Sequence, residues 1–278
     1  MTGHDAVLAD LSLEISAADL PRVADAAARL PRGARVHVTA LSTETAADRV
    51  ATASELVTHG LTPVPHLSAR RLASREDLES TVAALAHAAA QESVFVIGGD
   101  PRTPAGPYAS ALAVIESGVL ARHGVRQAGI GGYTEGHPDI PDDVLWEALA
   151  AKSGALASQG IAGSIVTQVS FDADAVLAWI AVVRERGIHL PIRVGVPGPM
   201  GVARLLSFGR RLGIASAAGL ARKYGAQLGG MLGSAGPDDF LDQLVAGLDP
   251  AAHGDVSAHL YTFGGLDATL DWLSHRTV

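Results

Sequence analysis

Carboxylates, histidines and amides recur in this chain at the ends of short apolar runs. Glu14 lies inside Ser12–Ser16, flanked by Leu13 and Ile15. In a strand alternate side chains face opposite ways, so Glu14 points into a closed interior if its neighbours point outward. Burial there without a cation would raise its pKa, which suits a general acid. Asp100 follows Val94-Phe95-Val96-Ile97 and the pair Gly98-Gly99. The glycines let the backbone turn sharply or approach a ligand. Asp100 then falls just past the carboxyl end of a strand, where parallel-sheet enzymes keep their chemistry. An Asp that caps the following turn is the alternative.

Other runs end in the same way. Thr39 closes Arg35–Ala40 and His66 closes Thr62–Leu67. Gln127–Gly132 leads into Tyr133, Glu135 and His137, Ser164–Phe171 carries Thr167-Gln168, and the last apolar run holds His259 and Tyr261. A buried Gln needs partners for both its oxygen and its nitrogen. Each of these groups taken singly could be structural; together they are what a barrel active site requires. A metal hydrolase would draw on His66, His137, His259 and Asp100, but no His-x-His pair is present, and no metal is expected. No G-x-S-x-G elbow offers a serine nucleophile, and no G-x-G-x-x-G joins a strand to a helix.

The elements that must position these residues are strands at Ser12–Ser16, Arg35–Ala40, Thr62–Leu67, Ser93–Gly99, Gln127–Gly132, Ser164–Phe171, Ile192–Val196 and Ala258–Phe263. Ala-rich helical patterns separate them. Ala46–His59 places Ala47, Val50, Ala51, Leu56 and Val57 mostly on one face, and Ser74–Gln91 begins with Ser74 as cap. Eightfold strand–helix alternation predicts a single (β/α)8 TIM barrel over residues 1–278. The stretch between strands seven and eight is too long for one crossover. It is expected to add helices near Ala217–Tyr224 and Asp238–Leu248, with a loop at Gly229–Gly233.

The chain has 278 residues, is 48% hydrophobic and only 4% aromatic, so its core must be built from Ala, Val, Leu and Ile. A net charge of −8 without a basic run argues against nucleic acid as a partner. Absence of cysteine removes disulfides, thiolate metal sites and cysteine nucleophiles. No apolar run reaches the ~18 residues of a membrane span, and the first residues have no leader pattern. The expectation is a soluble cytoplasmic protein, and a homo-oligomer is the usual state of such barrels.

Taken in order, the segments resemble the methylenetetrahydrofolate reductase family of flavin-dependent barrels. The matching pieces are LEIS with Glu14, VTA with Thr39, PHL with His66, GGDP with Asp100, PYAS, YTEGHP, TQVSFD and HLYTF. The resemblance implies reduction of 5,10-methylenetetrahydrofolate to 5-methyltetrahydrofolate by NAD(P)H through bound FAD. It implies that Glu14 protonates the folate N10 as the ring opens, and that Asp100 lies near flavin and pterin. It further implies that Gln168 hydrogen-bonds the pterin, with Tyr261 also on the substrate. Thr39, His66, Gly99, Asp100, Tyr108, Ala109, Tyr133, His137 and Lys152 would line the FAD.

The departures bear on the cofactor. Ile15-Ser16-Ala17-Ala18 stands where the family has Phe-Pro-Pro after the acid, and Gly98 replaces the Arg before Gly-Asp. Lys152 is the one cation where a basic pair holds the phosphates, and Gly264-Gly265 replaces an Asn-Arg pair. Each charge-assisted hydrogen bond contributes about 1.5–3 kcal/mol, so these losses weaken a pyrophosphate site. Two further readings follow: direct hydride transfer from NAD(P)H to the folate without flavin, and a non-catalytic folate- or flavin-binding subunit that partners a methyltransferase.

Overall fold

The computed structural model describes residues 3–200 and 237–276. Eight parallel strands follow one another in chain order and close into a barrel. They are β1 Ser12–Ile15, β2 Arg35–Val38, β3 Thr62–Ser68, β4 Ser93–Ile97, β5 Gln127–Gly132, β6 Ala162–Val169, β7 Ile192–Pro197 and β8 Val256–Tyr261. Helices between the strands make this the single (β/α)8 TIM barrel expected from the alternation. The described helices are α1 Gly3–Ala9, α2 Val23–Arg29, α3 Ala46–Thr58, α4 Arg75–His87, α5 Ala111–Glu116 and α6 Val119–Arg122. After them come α7 Asp142–Ser158, α8 Ala173–Glu185, α9 Asp238–Gly247, α10 Pro250–His253 and α11 Leu266–Ser274. Of the additions expected after strand seven, α9 forms at Asp238–Leu248 to within one residue. Ala217–Tyr224 and Gly229–Gly233 lie outside the described residues. No described helix is long and apolar enough to cross a membrane.

Packing divides the chain into two compact units. The first is Ser12–Gly132 with Trp146–Val166; the second takes the described residues up to Leu11, Tyr133–Leu145 and those from Thr167 onward.

In the first unit, β1–β5 pair in register, with Glu14 opposite His37, His37 opposite Val64 and His66 opposite Phe95. The β3–β4 ladder starts at His66, beyond Pro63 and Pro65, which have no N–H to give. Thr45 and Asp48 form a reciprocal capping box on α3, and Ser74 accepts from the Asp77 amide at the start of α4. Helix α4 buries Leu78, Thr81, Val82 and Leu85 at helical spacing. It ends earlier than expected because Ala89 takes a left-handed conformation (φ 53°), unusual for a residue other than glycine. Helix α3 also departs from expectation. Its buried residues are Thr52, Ala53 and Leu56, whereas Ala47 and Ala51 are exposed. With Val50 they line a groove of about 910 Å³ between α3 and α4. Alanine is small enough to sit on either face, so its spacing does not identify the core side.

In the second unit, β7 and β8 pair from Ile192 opposite Val256 to Pro197 opposite Tyr261. Helix α8 buries Ala173, Val176, Trp179, Ile180 and Val183 and packs on α9 and α10. Strand β8 stops at Tyr261 because the Phe263 amide turns back to the Tyr261 carbonyl.

Candidate functional site

The first unit brings Glu14, His37 and His66 together on one face of β1–β3. Glu14 Oε2 lies 3.7 Å from His66 Nε2, with the Glu14 side chain 18% exposed. The expected acid is therefore only partly shielded, and its neighbour is an imidazole rather than apolar side chains alone. His66 Nε2 is also 3.2 Å from His37 Nδ1, and both histidines are buried. Phe95 meets the His37 ring edge-on at 5.4 Å and the His66 ring at a tilt at 4.8 Å, and packs with Val64, Val166 and Ile97. Gly129 on β5 leaves the space Phe95 uses, since a Cβ there would sit 2.7 Å from the Phe95 ring. Thr39 follows β2 directly and donates its hydroxyl to Glu44, and the other Glu44 oxygen accepts from the Ala17 amide at 2.7 Å.

Asp100 occupies the predicted place after β4, yet its side chain is 88% exposed and meets Arg71 Nη2 at 3.4 Å. Arg71 thus supplies beside Asp100 a guanidinium that Gly98 does not. Gly99 is held at φ 91° with its Cα against the Ser68 hydroxyl, so any Cβ would collide at 2.0 Å. Tyr108 is buried, and the Ala109 carbonyl accepts from Arg70 Nε at 2.8 Å.

Lys152, expected at the cofactor phosphates, is buried on α7 with its ammonium 3.4 Å from the Gly131 carbonyl. Burial lowers its pKa from 10.5 to about 8. A lysine in this position is not presented to a phosphate. The Arg70 guanidinium is engaged by the Ala109 and Pro101 carbonyls. Both donors are thus taken by backbone carbonyls, whereas a flavin pyrophosphate needs cations or amides turned toward it. Among the described residues no group of three or more ionisable ligands could hold a metal ion.

The second unit arranges neutral hydrogen bonds and rings. Gln168 Nε2 donates to the Gly136 carbonyl at 3.1 Å, which leaves Oε1 and the amide's second hydrogen for a ligand. Ser170 donates to Glu135 at 2.7 Å, so YTEGHP and TQVSFD are tied by two side-chain bonds. His137 Nδ1 accepts from the Asp139 amide, and the His137 ring meets Tyr133 edge-on at 5.5 Å. Tyr261 donates its hydroxyl to the Thr167 carbonyl at 3.0 Å and stacks on Phe263 at 5.1 Å. What Tyr261 can offer a substrate is therefore its ring rather than its proton. The buried His259 packs edge-on against it at 4.8 Å.

Gly264 and Gly265 each have a structural reason to be glycine. A Cβ on Gly264 would lie 1.5 Å from the Pro199 carbonyl oxygen, and Gly265 has φ 109°. Neither place accepts a side chain without moving the backbone.

Sequence reasoning missed His37, Arg71, Glu44 and Ser170. His37 carried a signal, since it precedes Thr39 by two residues and shares its face. Arg71 and Glu44 act from loops, where no periodicity marks them.

No protein-family model matches the chain. Among solved structures it is similar to a Clostridium thermocellum protein described as binding two copies of 5-methyl-5,6,7,8-tetrahydrofolic acid. Identity is 9%, coverage 97% of this chain and 95% of that one, and the TM-score 0.60. It is also similar to dihydropteroate synthase from Thermus thermophilus (15% identity, 98% and 95% coverage, TM-score 0.46). Type I 3-dehydroquinate dehydratase from Clostridium difficile gives 12% identity, 97% and 93% coverage and a TM-score of 0.48.

Proposed function

We propose that this chain is a folate-binding barrel that reduces 5,10-methylenetetrahydrofolate to 5-methyltetrahydrofolate, with hydride passed directly from NAD(P)H. The observation that carries the reading is the Glu14 carboxyl on β1, 3.7 Å from the buried His66 imidazole. In this reading it supplies the proton that the ring-opening step requires. The ordered resemblance from LEIS to HLYTF supports the substrate, as does the folate ligand of a barrel of like fold.

In this reaction Glu14 gives its proton to N10 as the bond between N10 and the bridging carbon breaks. The nicotinamide hydride carries its electron pair to that carbon, which becomes the 5-methyl group, and NAD(P)⁺ leaves. A positioned general acid contributes about 10²–10⁴-fold in rate. Gln168 and Tyr261 keep the substrate-binding roles that the resemblance implies. Direct transfer is favoured over a flavin intermediate because Lys152 and Arg70 are committed to backbone carbonyls.

The test is anaerobic oxidation of NADH or NADPH by the purified protein with methylenetetrahydrofolate, alongside its visible spectrum. Turnover without flavin absorption is the expected result. Turnover only after FAD is added would restore the flavin route. Folate binding without turnover under either condition would leave a binding subunit and overturn the reductase reading.

A further inference from the structure

His37 belongs to none of the motifs that suggest a folate enzyme, yet it is among the most deeply buried polar residues of the first unit. It is 2% exposed, and His66 is 4% exposed. Glu14 and His37 are register partners on β1 and β2. His66 lies two residues beyond Val64, the β3 partner of His37, so the three side chains share one face. His66 Nε2 faces both other groups, at 3.2 Å from His37 Nδ1 and 3.7 Å from Glu14 Oε2.

The contact between the rings limits the protons that the two facing nitrogens can hold. A neutral imidazole has one donor nitrogen and one acceptor nitrogen. An N···N contact of 3.2 Å accommodates one proton, because protons on both facing nitrogens would set two N–H groups head to head. The Glu14 carboxylate favours a proton on the pair, and both rings are buried beside Phe95. The neighbouring carboxylate at this end of the unit, Glu44, is bound by the Ala17 and Leu41 amides and the Thr39 hydroxyl.

We propose that His37 is a positioning residue that holds a shared proton on His66 and thereby makes Glu14 a rechargeable donor. Once Glu14 has given its proton to the substrate nitrogen, its carboxylate draws a proton from solvent onto the imidazole pair. The imidazolium so formed passes its Nε2 proton to Glu14, which leaves both rings neutral. The proposal rests on the reading of Glu14 as the acid, but the state of the imidazole pair can be read without substrate.

The experiment is a pH titration of the ¹⁵N-histidine-labelled full chain by NMR, for the wild type, His37→Asn and Glu14→Gln. In the wild type the His37 and His66 ring nitrogens are expected to move together through one shared step. In Glu14→Gln that step falls by about one pH unit, as loss of a neighbouring anion requires. In His37→Asn the His66 step falls as well. The alkaline limb of kcat moves down with it while KM stays near wild type, a split that a packing role alone would not produce. Independent titration of the two rings, or a shared step unmoved in Glu14→Gln, would overturn the proposal. If His37→Asn fails to fold, the near-isosteric Glu14→Gln decides. Absence of folate reduction leaves the nitrogen titration intact, so failure of the reductase reading and failure of the shared proton are separate results.

Discussion

Lys152 in the first unit and Arg193 in the second are both buried cations, and they are held in opposite ways. Arg193 donates to the Asp10 carboxylate at 2.6 Å, to the Asp10 carbonyl and to Ser257. Lys152 has one long contact to the Gly131 carbonyl, and burial lowers its pKa to about 8. The same division runs through the functional residues. Glu14, His37 and His66 turn ionisable atoms toward one another, whereas Gln168, Ser170 and Tyr261 are bonded to fixed backbone or carboxylate acceptors. Under the proposed function, proton chemistry falls to the first unit and ligand orientation to the second.

Arg193→Met should show the largest effect on folding. It loses charge-assisted hydrogen bonds and is expected to cost about 3 kcal/mol in urea unfolding. Equal stability to wild type would show that the second unit does not depend on its paired cation.

Lys152→Met should act with the opposite sign, stabilising the chain by on the order of 2–3 kcal/mol at neutral pH. Lys152 titrates near 8 when folded and near 10.5 when unfolded. Between those values the unfolded chain holds the extra proton, so wild-type stability rises with pH through that window. The advantage of the Met variant should therefore shrink from pH 8 to 10.5. A gain that stays constant across the window would mean that packing, not charge, is responsible.

Ser170→Ala sharpens the comparison at a smaller scale. Loss of its bond to Glu135 is expected to cost about 1 kcal/mol of stability and to raise the folate KM several-fold, with kcat nearly unchanged. A fall in kcat alone would place chemistry, rather than orientation, in the second unit.

Much of the barrel was legible because its strands are short runs of Val, Ile and Leu ending in Gly or polar residues, as at Val94–Gly99. The α3 face was not, because Ala47 and Ala51 suit the groove as well as the core. The positions of Glu14, Asp100 and Gln168 followed from strand ends, but their partners did not. Arg71 reaches Asp100 from a neighbouring turn, and His66 reaches Glu14 across β2. Such contacts depend on register between strands, which a single sequence leaves open. The glycines at 264 and 265 read as a lost binding pair until Pro199 was seen pressed against the first.

The most direct test of the division between the units is Glu14→Gln, examined by single-turnover folate reduction and by calorimetric titration with 5-methyltetrahydrofolate. The account predicts a rate lowered by about 10²–10⁴-fold, with affinity within a few-fold of wild type. Wild-type reduction by this variant, or loss of binding without loss of rate in the bound complex, would contradict it.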